Sequence, residues 1–173
     1  MSNEKMEERK FWDIIERARE DSNSNSDLIR DNLRFILAGY TPNELFTFQN
    51  KFMECLVKVY TNKIWAAAYL INGGASIDGF YYFRAGLISL GKEAFEKVIL
   101  DPDSLADIWK NANEDLECEE AIYVAPRLYE EKTSLIMEYE TDPEDNGIWP
   151  NDDEWEESDL PNILPKLYKI YGE

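Results

Sequence analysis

The chain has 173 residues, a length that fits one domain, and 44% of its side chains are hydrophobic, which is enough to fill one core. Its net charge of −18 is uneven, since residues 1–100 hold 13 basic and 14 acidic side chains (net −1) and residues 101–173 hold 5 and 22 (net −17). This charge argues against nucleic acid and anionic membranes as partners, because both attract positive surfaces. It favours a basic protein partner, a divalent cation or simple solubility.

The chain contains no histidine and two cysteines, Cys55 and Cys118. The lack of histidine excludes Ser-His-Asp and Cys-His nucleophiles, histidine-ligated zinc and a histidine general base. The cysteines form no CxxC motif, so we expect reduced structural thiols in a cytoplasmic protein. The charged N-terminus and the absence of a long apolar run predict neither a signal peptide nor a membrane span. No cofactor and no metal are predicted.

Apolar periodicity predicts helices along the first half of the chain. The first helix carries one apolar stripe, made of Phe11, Ile14, Ile15 and Ala18. We expect the second helix to begin after a cap at Ser26 and to end with Gly39 in the left-handed conformation. Its predicted stripe consists of Leu28, Ile29, Leu33, Ile36 and Leu37. The third helix should begin with a capping box formed by Thr41, Pro42 and Glu44.

The segment 64–72 is apolar nearly all round and predicts a central helix. Further helices are expected from Ser76 to Gly91, over KEAFEKVIL, and after an Asp101 cap. The segment CEEAIYVAPRLYEEKTS is also helical in pattern, although Pro126 should kink or split it. From 141 to 165 four prolines and many acids end the periodicity.

The last eleven residues, ILPKLYKIYGE, form a short amphipathic segment that could dock back onto the domain. Its docking side chains would be Leu164, Leu167, Tyr168 and Tyr171. We therefore predict an all-α, single-domain helical bundle over residues 1–140. An irregular acidic segment, 141–173, would follow it and carry the short docking helix.

The stretch INGGASIDGFYYFR predicts a hairpin between two helices. Gly73 and Gly74 should reverse the chain, with at least one at positive φ, and Ser76 should cap the next helix. Asp78 would complement the helix dipole. A phosphate-binding loop is the alternative, but it lacks the lysine of a P-loop and the regional charge opposes it.

The helix after this turn should bury the stripe Phe80, Phe83 and Leu87. Arg84 would then lie at the edge of that stripe and need a carboxylate or carbonyl partner. In a competing interpretation the motif is a ligand or catalytic site, with Asp78 as base and Arg84 holding an anionic group. Proton donors in that site would be Tyr69 and Tyr82.

The run from Trp65 to Asp103 resembles the bacterial family called domain of unknown function 4240. The resemblance rests on a tryptophan-to-glycine segment and a later DPD-x-LA segment. The residues that carry it are Trp65, Ala67, Ala68, Tyr69, Ile71, Gly73, Gly74, Ser76, Asp78, Gly79, Phe80, Phe83, Arg84, Leu87, Ile88, Gly91, Asp101, Pro102, Asp103, Leu105 and Ala106. The chain departs from the family pattern at Ile77, usually an acid, and Gly86, usually tryptophan. The resemblance implies no established activity.

The tract 138–159 contains eleven acids and no basic residue. Its opening DPEDNG resembles the start of a calcium loop but lacks the glutamate at the twelfth position. A solvated segment and a surface for a basic protein are the other interpretations. The candidate partner surface consists of Trp149, Asp152, Asp153, Glu154, Trp155, Glu156 and Glu157. Our leading hypothesis is a non-enzymatic protein-binding module, in one version an immunity-type protein that neutralises a basic toxin.

Overall fold

A computed structural model of the chain describes residues 5–110, 114–139 and 143–172, and these residues form ten α-helices and no strand. The helices are α1 (Glu8–Arg19), α2 (Ser26–Leu37), α3 (Pro42–Lys58), α4 (Asn62–Ile71), α5 (Ile77–Ser89), α6 (Lys92–Leu100), α7 (Leu105–Ile108), α8 (Glu119–Thr133), α9 (Leu160–Ile163) and α10 (Pro165–Tyr171). The predicted all-α helical bundle is confirmed. None of the described helices is long and apolar enough to cross a membrane.

The core lies where α8 packs against α2, α3 and α5, with α1 against α2 and α3. The predicted stripe of α1 is buried, and Phe11 contacts Phe48 and Trp12 with ring centroids 5.3 and 5.1 Å apart. Each fully buried side chain of this size stabilises the fold by about 1.5–3 kcal/mol. Both cysteines are free and buried, and burial raises the pKa of each thiol to about 11.

The start of α3 confirms the predicted capping box. Thr41 Oγ1 accepts the N–H of Glu44 at 3.3 Å, and the Glu44 carboxylate accepts the N–H of Thr41 at 3.0 Å. Backbone hydrogen bonding from Thr41 and the ammonium of Lys10, which donates at 3.0 Å, lower the pKa of Glu44 to about 2. The folded structure therefore stabilises the charged form of Glu44 at the start of α3.

Three expectations for α2 were wrong. Asn25, not Ser26, is its cap, since Asn25 Oδ1 accepts the N–H of Leu28 at 3.0 Å and Ser26 is already helical. Leu28 is 49% exposed because it lies on the outer face, away from Leu33 and Leu37. The helix closes through right-handed Ala38, and Gly39 has no positive φ, so no left-handed residue is needed.

Helix α8 runs unbroken through Pro126, which neither splits it nor ends it. Proline has no N–H, so it cannot donate to the carbonyl of Ile122 four residues earlier. The side-chain amide of Gln49 on α3 donates to that carbonyl instead, at 3.1 Å in a buried position. A neighbouring helix thus supplies the hydrogen bond that the proline removes.

The described residues 143–172, which we call the C-terminal arm, fold back onto the helices. Leu164 and Leu167 are fully buried and Tyr168 and Tyr171 are half-buried, as predicted. The buried carboxylate of Asp103 accepts the backbone N–H groups of Lys166 and Leu167 at 2.9–3.1 Å. Residues 140–142 of the acidic tract, including the first residue of the calcium-like loop, lie outside the described residues.

Candidate functional site

The turn between α4 and α5 is the predicted glycine reversal. Gly73 has φ +65° and Gly74 φ +130°, and the N–H of Gly74 donates to the carbonyl of Tyr69 at 2.8 Å. Added Cβ atoms would meet nothing within 4 Å, so backbone conformation and not space requires these glycines. Ser76 Oγ accepts the N–H of Gly79 at 3.1 Å and caps α5, as predicted.

The surroundings of this turn are acidic. Asp78 is exposed in the first turn of α5. Burial and a hydrogen bond with Glu119 raise the pKa of Tyr82 to about 12. Burial and the nearby charge of Asp115 raise the pKa of Glu117, which accepts a hydrogen bond from the side chain of Asn72. Carboxylates around the turn oppose a bound phosphate.

Arg84, which was expected at the edge of the α5 stripe, is completely buried. Its guanidinium lies over the rings of Tyr60, Phe80 and Tyr81, at 4.6, 4.9 and 5.2 Å from their centroids. Nη1 donates to the carbonyl of Leu56 at 3.3 Å, which satisfies the predicted need for a carbonyl partner. The cation is accommodated because the aromatic faces and the end of α3 both present negative potential.

The burial of Arg84 separates it from Asp78. Asp78 faces solvent at the start of α5, whereas the guanidinium is sealed among aromatic rings on the inner side of the helix. The two side chains do not share an open cleft. The geometry that a catalytic or anion-binding pair would require is therefore absent from these two residues.

The two departures from the family pattern have different surroundings. Ile77 is 45% exposed at the start of α5. At Gly86 the backbone of the segment before α8 lies directly on α5, because an added Cβ would be 3.1 Å from the carbonyl oxygen of Leu116 and 3.2 Å from the Glu117 backbone. A tryptophan at this position would displace that segment.

Four aromatic rings form a stack that leads from the surface to the core. Trp65 stacks on Phe80 with centroids 4.6 Å apart, and Trp149 stacks on Trp65 at 6.5 Å. Phe80 also stacks on Tyr60 at 5.9 Å. Trp149, the outermost ring, is 57% exposed.

The acidic tract is attached to α4 by specific contacts. Asp152 accepts the backbone N–H groups of Asn62 and Lys63 at 2.7 and 3.2 Å, and so caps the start of α4. The indole of Trp155 donates to the carbonyl of Asn62 at 2.8 Å. The tract is therefore attached to the first turn of α4, the first helix of the hairpin.

Tyr69 provides a further contact between the hairpin and the tract. Its hydroxyl donates to the carboxylate of Glu157 at 2.5 Å, and its ring lies 5.4 Å from that of Trp155. The hydrogen bond with Glu157, with a smaller effect of burial, raises the pKa of Tyr69. Tyr69 therefore holds the tract in place, and Tyr82 lies apart beside Glu119.

Three acids of the tract outside these attachments, Asp153, Glu154 and Glu156, are exposed, and no ion pair among the described residues involves any of the three. We call Trp149, Asp153, Glu154 and Glu156 the acidic face. No group of three or more described carboxylates or thiols is placed to hold a metal ion.

Sequence reasoning named Asp152, Trp155 and Glu157 as candidate partner-binding residues; they also attach the arm, and their contact with a partner stays a prediction. It missed Asn62, whose backbone and side chain receive the arm; Asn62 Nδ2 donates to the carbonyl of Asp152 at 2.9 Å. No local signal marks a contact between residues 90 positions apart.

Comparison with known proteins gives a family and no characterised relative. No curated protein and no solved structure matches the chain. The family model described as a protein of unknown function (DUF4240) matches residues 6–131, which include the α4–α5 hairpin and Asp103 but not the C-terminal arm. The chain therefore belongs to the DUF4240 family.

Proposed function

We propose that the protein binds a basic protein partner through the acidic face. The observation that carries this proposal is the contrast in ion pairing. Most surface cations of the first hundred residues have carboxylate partners, for example Lys10 with Glu44 at 3.0 Å. The exposed acids of the arm have none among the described residues, so their charge is available to a second molecule.

The acidic face is also held in a defined shape before any partner arrives. Asp152 and Trp155 attach the arm to the first turn of α4, on either side of Asp153 and Glu154. A surface that is ordered in advance loses less entropy on binding. Trp149 adds an exposed ring that can receive an arginine or lysine side chain.

One version of this function is an immunity-type protein that neutralises a basic toxin by presenting charge similar to that of nucleic acid. We place this activity in the cytoplasm, because two buried free thiols suit a reducing compartment. The competing function, a small-ligand site or enzyme on the Gly73–Arg84 motif, is disfavoured because Arg84 is sealed in the core.

The test is affinity capture from a lysate of the native host, with the purified chain as bait and with a neutralised variant beside it. The variant carries Asp153→Asn, Glu154→Gln and Glu156→Gln. The matched control carries Glu7→Gln, Glu93→Gln and Glu130→Gln, three exposed acids elsewhere that form no ion pair among the described residues. Both variants change the net charge equally.

We expect the captured protein to be basic, to be lost with the neutralised variant and to be retained by the control. Its binding should weaken as salt increases, because exposed charges are screened. A partner that is not basic, or that binds both variants equally, would contradict the proposal.

A further inference from the structure

A second exposed surface is apolar and belongs to the first hundred residues, which carry almost no net charge. Phe35 on α2 is 85% exposed and Leu28, two turns earlier on the same face, is 49% exposed. An isolated exposed apolar residue is ordinary, but two large side chains at i and i+7 form one stripe. The rest of α2 packs against α1 and α8, so this stripe is its one outward apolar surface among the described contacts.

A groove of about 430 Å³ runs beside the stripe, between α2 and the end of α1. Its lining includes Leu28, Phe35 and half-buried Ile36, with Arg17, Glu20 and Asp21 at the rim. A protruding ring and a groove lined by both apolar and charged side chains therefore lie next to each other on one surface. Such a surface is complementary to itself under twofold rotation, because each ring can enter the groove of the other copy.

The rim charges support the same geometry. Arg17 forms no ion pair among the described residues, and neither do Glu20 and Asp21. The other surface arginines all pair with a carboxylate of the chain, namely Arg9, Arg19, Arg30, Arg34 and Arg127. A rim that carries one free cation beside two free acids can pair with a rotated copy of itself.

The overall charge distribution permits such an association. Two molecules that each carry −18 repel one another, and most of that charge belongs to residues 101–173. The α2 surface belongs to the half with a net charge of −1. A contact made there uses none of the residues of the acidic face.

From these observations we propose that the chain forms a homodimer through the outer face of α2, with Phe35 of each copy in the groove of the other and Arg17 paired with Glu20 across the interface. This interface includes none of the residues of the acidic face. The proposal rests on residues distinct from those of the proposed function, so either can fail without the other.

Sedimentation velocity of the full chain, from micromolar to millimolar concentration, tests the proposal. We expect a reversible monomer–dimer equilibrium in the parent. Phe35→Ser should raise the dimer dissociation constant by about tenfold or more, as the loss of a central anchor does. Leu100→Ser removes a side chain that is 87% exposed on α6 and serves as the matched control, which should dimerise like the parent.

A charge exchange identifies the occupant of the groove as a second copy. Arg17→Glu should weaken the dimer, and the double variant Arg17→Glu/Glu20→Arg should restore it, because the exchanged charges meet again across the twofold axis. A monomer at every concentration would overturn the proposal and leave this face to a different partner. Dimerisation of Phe35→Ser equal to the parent's, or a double variant weaker than the single one, would also overturn it.

Discussion

A single arginine shows how a charged side chain can serve as part of a core. Arg84 combines complete burial with three aromatic faces and a carbonyl at the end of α3. Among the described residues, the carbonyl of Leu56 also accepts a long hydrogen bond of 3.3 Å from the N–H of Val59. A cation at a helix C-terminus stabilises such carbonyls. Arg84 therefore joins α5 to the end of α3.

We predict that Arg84→Met lowers the free energy of unfolding by about 1–3 kcal/mol, the range for a buried acceptor that loses its donor. Methionine fills similar space but donates no hydrogen bond. Asp78→Ala, on the exposed start of α5, should cost at most about 1 kcal/mol through the helix dipole. Urea denaturation of both variants measures the difference. If both unfold like the parent, the architectural interpretation fails and the hairpin must be treated as a binding site.

At the scale of the element, α8 contains a proline in its interior that costs it one backbone hydrogen bond. A proline inside a helix ordinarily destabilises it by about 3 kcal/mol or more. Here Gln49 on α3 reaches the orphaned carbonyl of Ile122, and the fully buried amide makes this contact specific. The proline and the glutamine act as one unit across the α3–α8 interface.

This unit predicts a coupled response to mutation. Gln49→Leu should lower the free energy of unfolding by about 1–3 kcal/mol, because it leaves a buried carbonyl without a donor. In a Pro126→Ala background the alanine N–H supplies the bond, so the same substitution should cost at least about 1 kcal/mol less. Urea denaturation of the parent, of each single variant and of the double variant measures the coupling. An equal cost of Gln49→Leu in both backgrounds would show that the two residues are independent.

At the scale of the whole molecule, local signals predicted the helices well. The capping box at Thr41 and the glycine turn before Ser76 each lie within a few residues, and both were confirmed. Choosing between adjacent caps was harder, since Asn25 and Ser26 have equal intrinsic preference and only the backbone path decides. The complete burial of Arg84 could not be predicted either, because i, i+3 and i+4 spacing identifies a face but not how completely neighbours cover it.

The position of the C-terminal arm could not be predicted at all from local pattern. Its attachments join Asp152 to Asn62 and Asp103 to Lys166, across 90 and 63 positions of the chain. In the sequence, the acids that form these attachments cannot be distinguished from the many other acids. Long-range caps of this kind depend on where helix ends meet in space, which composition and periodicity do not encode.

Asp152 and Asp153 are adjacent acids with different surroundings, and they predict opposite results. Asp152 accepts two backbone N–H groups at the start of α4, whereas Asp153 is exposed and makes no contact among the described residues that would hold the arm. Asp152→Ala should therefore release the arm locally, because a lost helix cap costs about 0.5–2 kcal/mol. Asp153→Ala removes the same charge and should leave the arm attached.

Hydrogen–deuterium exchange of the two variants measures this difference directly. We expect faster exchange in residues 148–157 and in the first turn of α4 for Asp152→Ala, with the remaining core helices unchanged. Asp153→Ala should exchange like the parent in both segments. Because both substitutions change the net charge equally, a general effect of charge would accelerate exchange in both variants to the same extent. That outcome would contradict a specific role of Asp152. Exchange equal to the parent's in both variants would also contradict it, and would mean that the other contacts of the arm are enough to hold it.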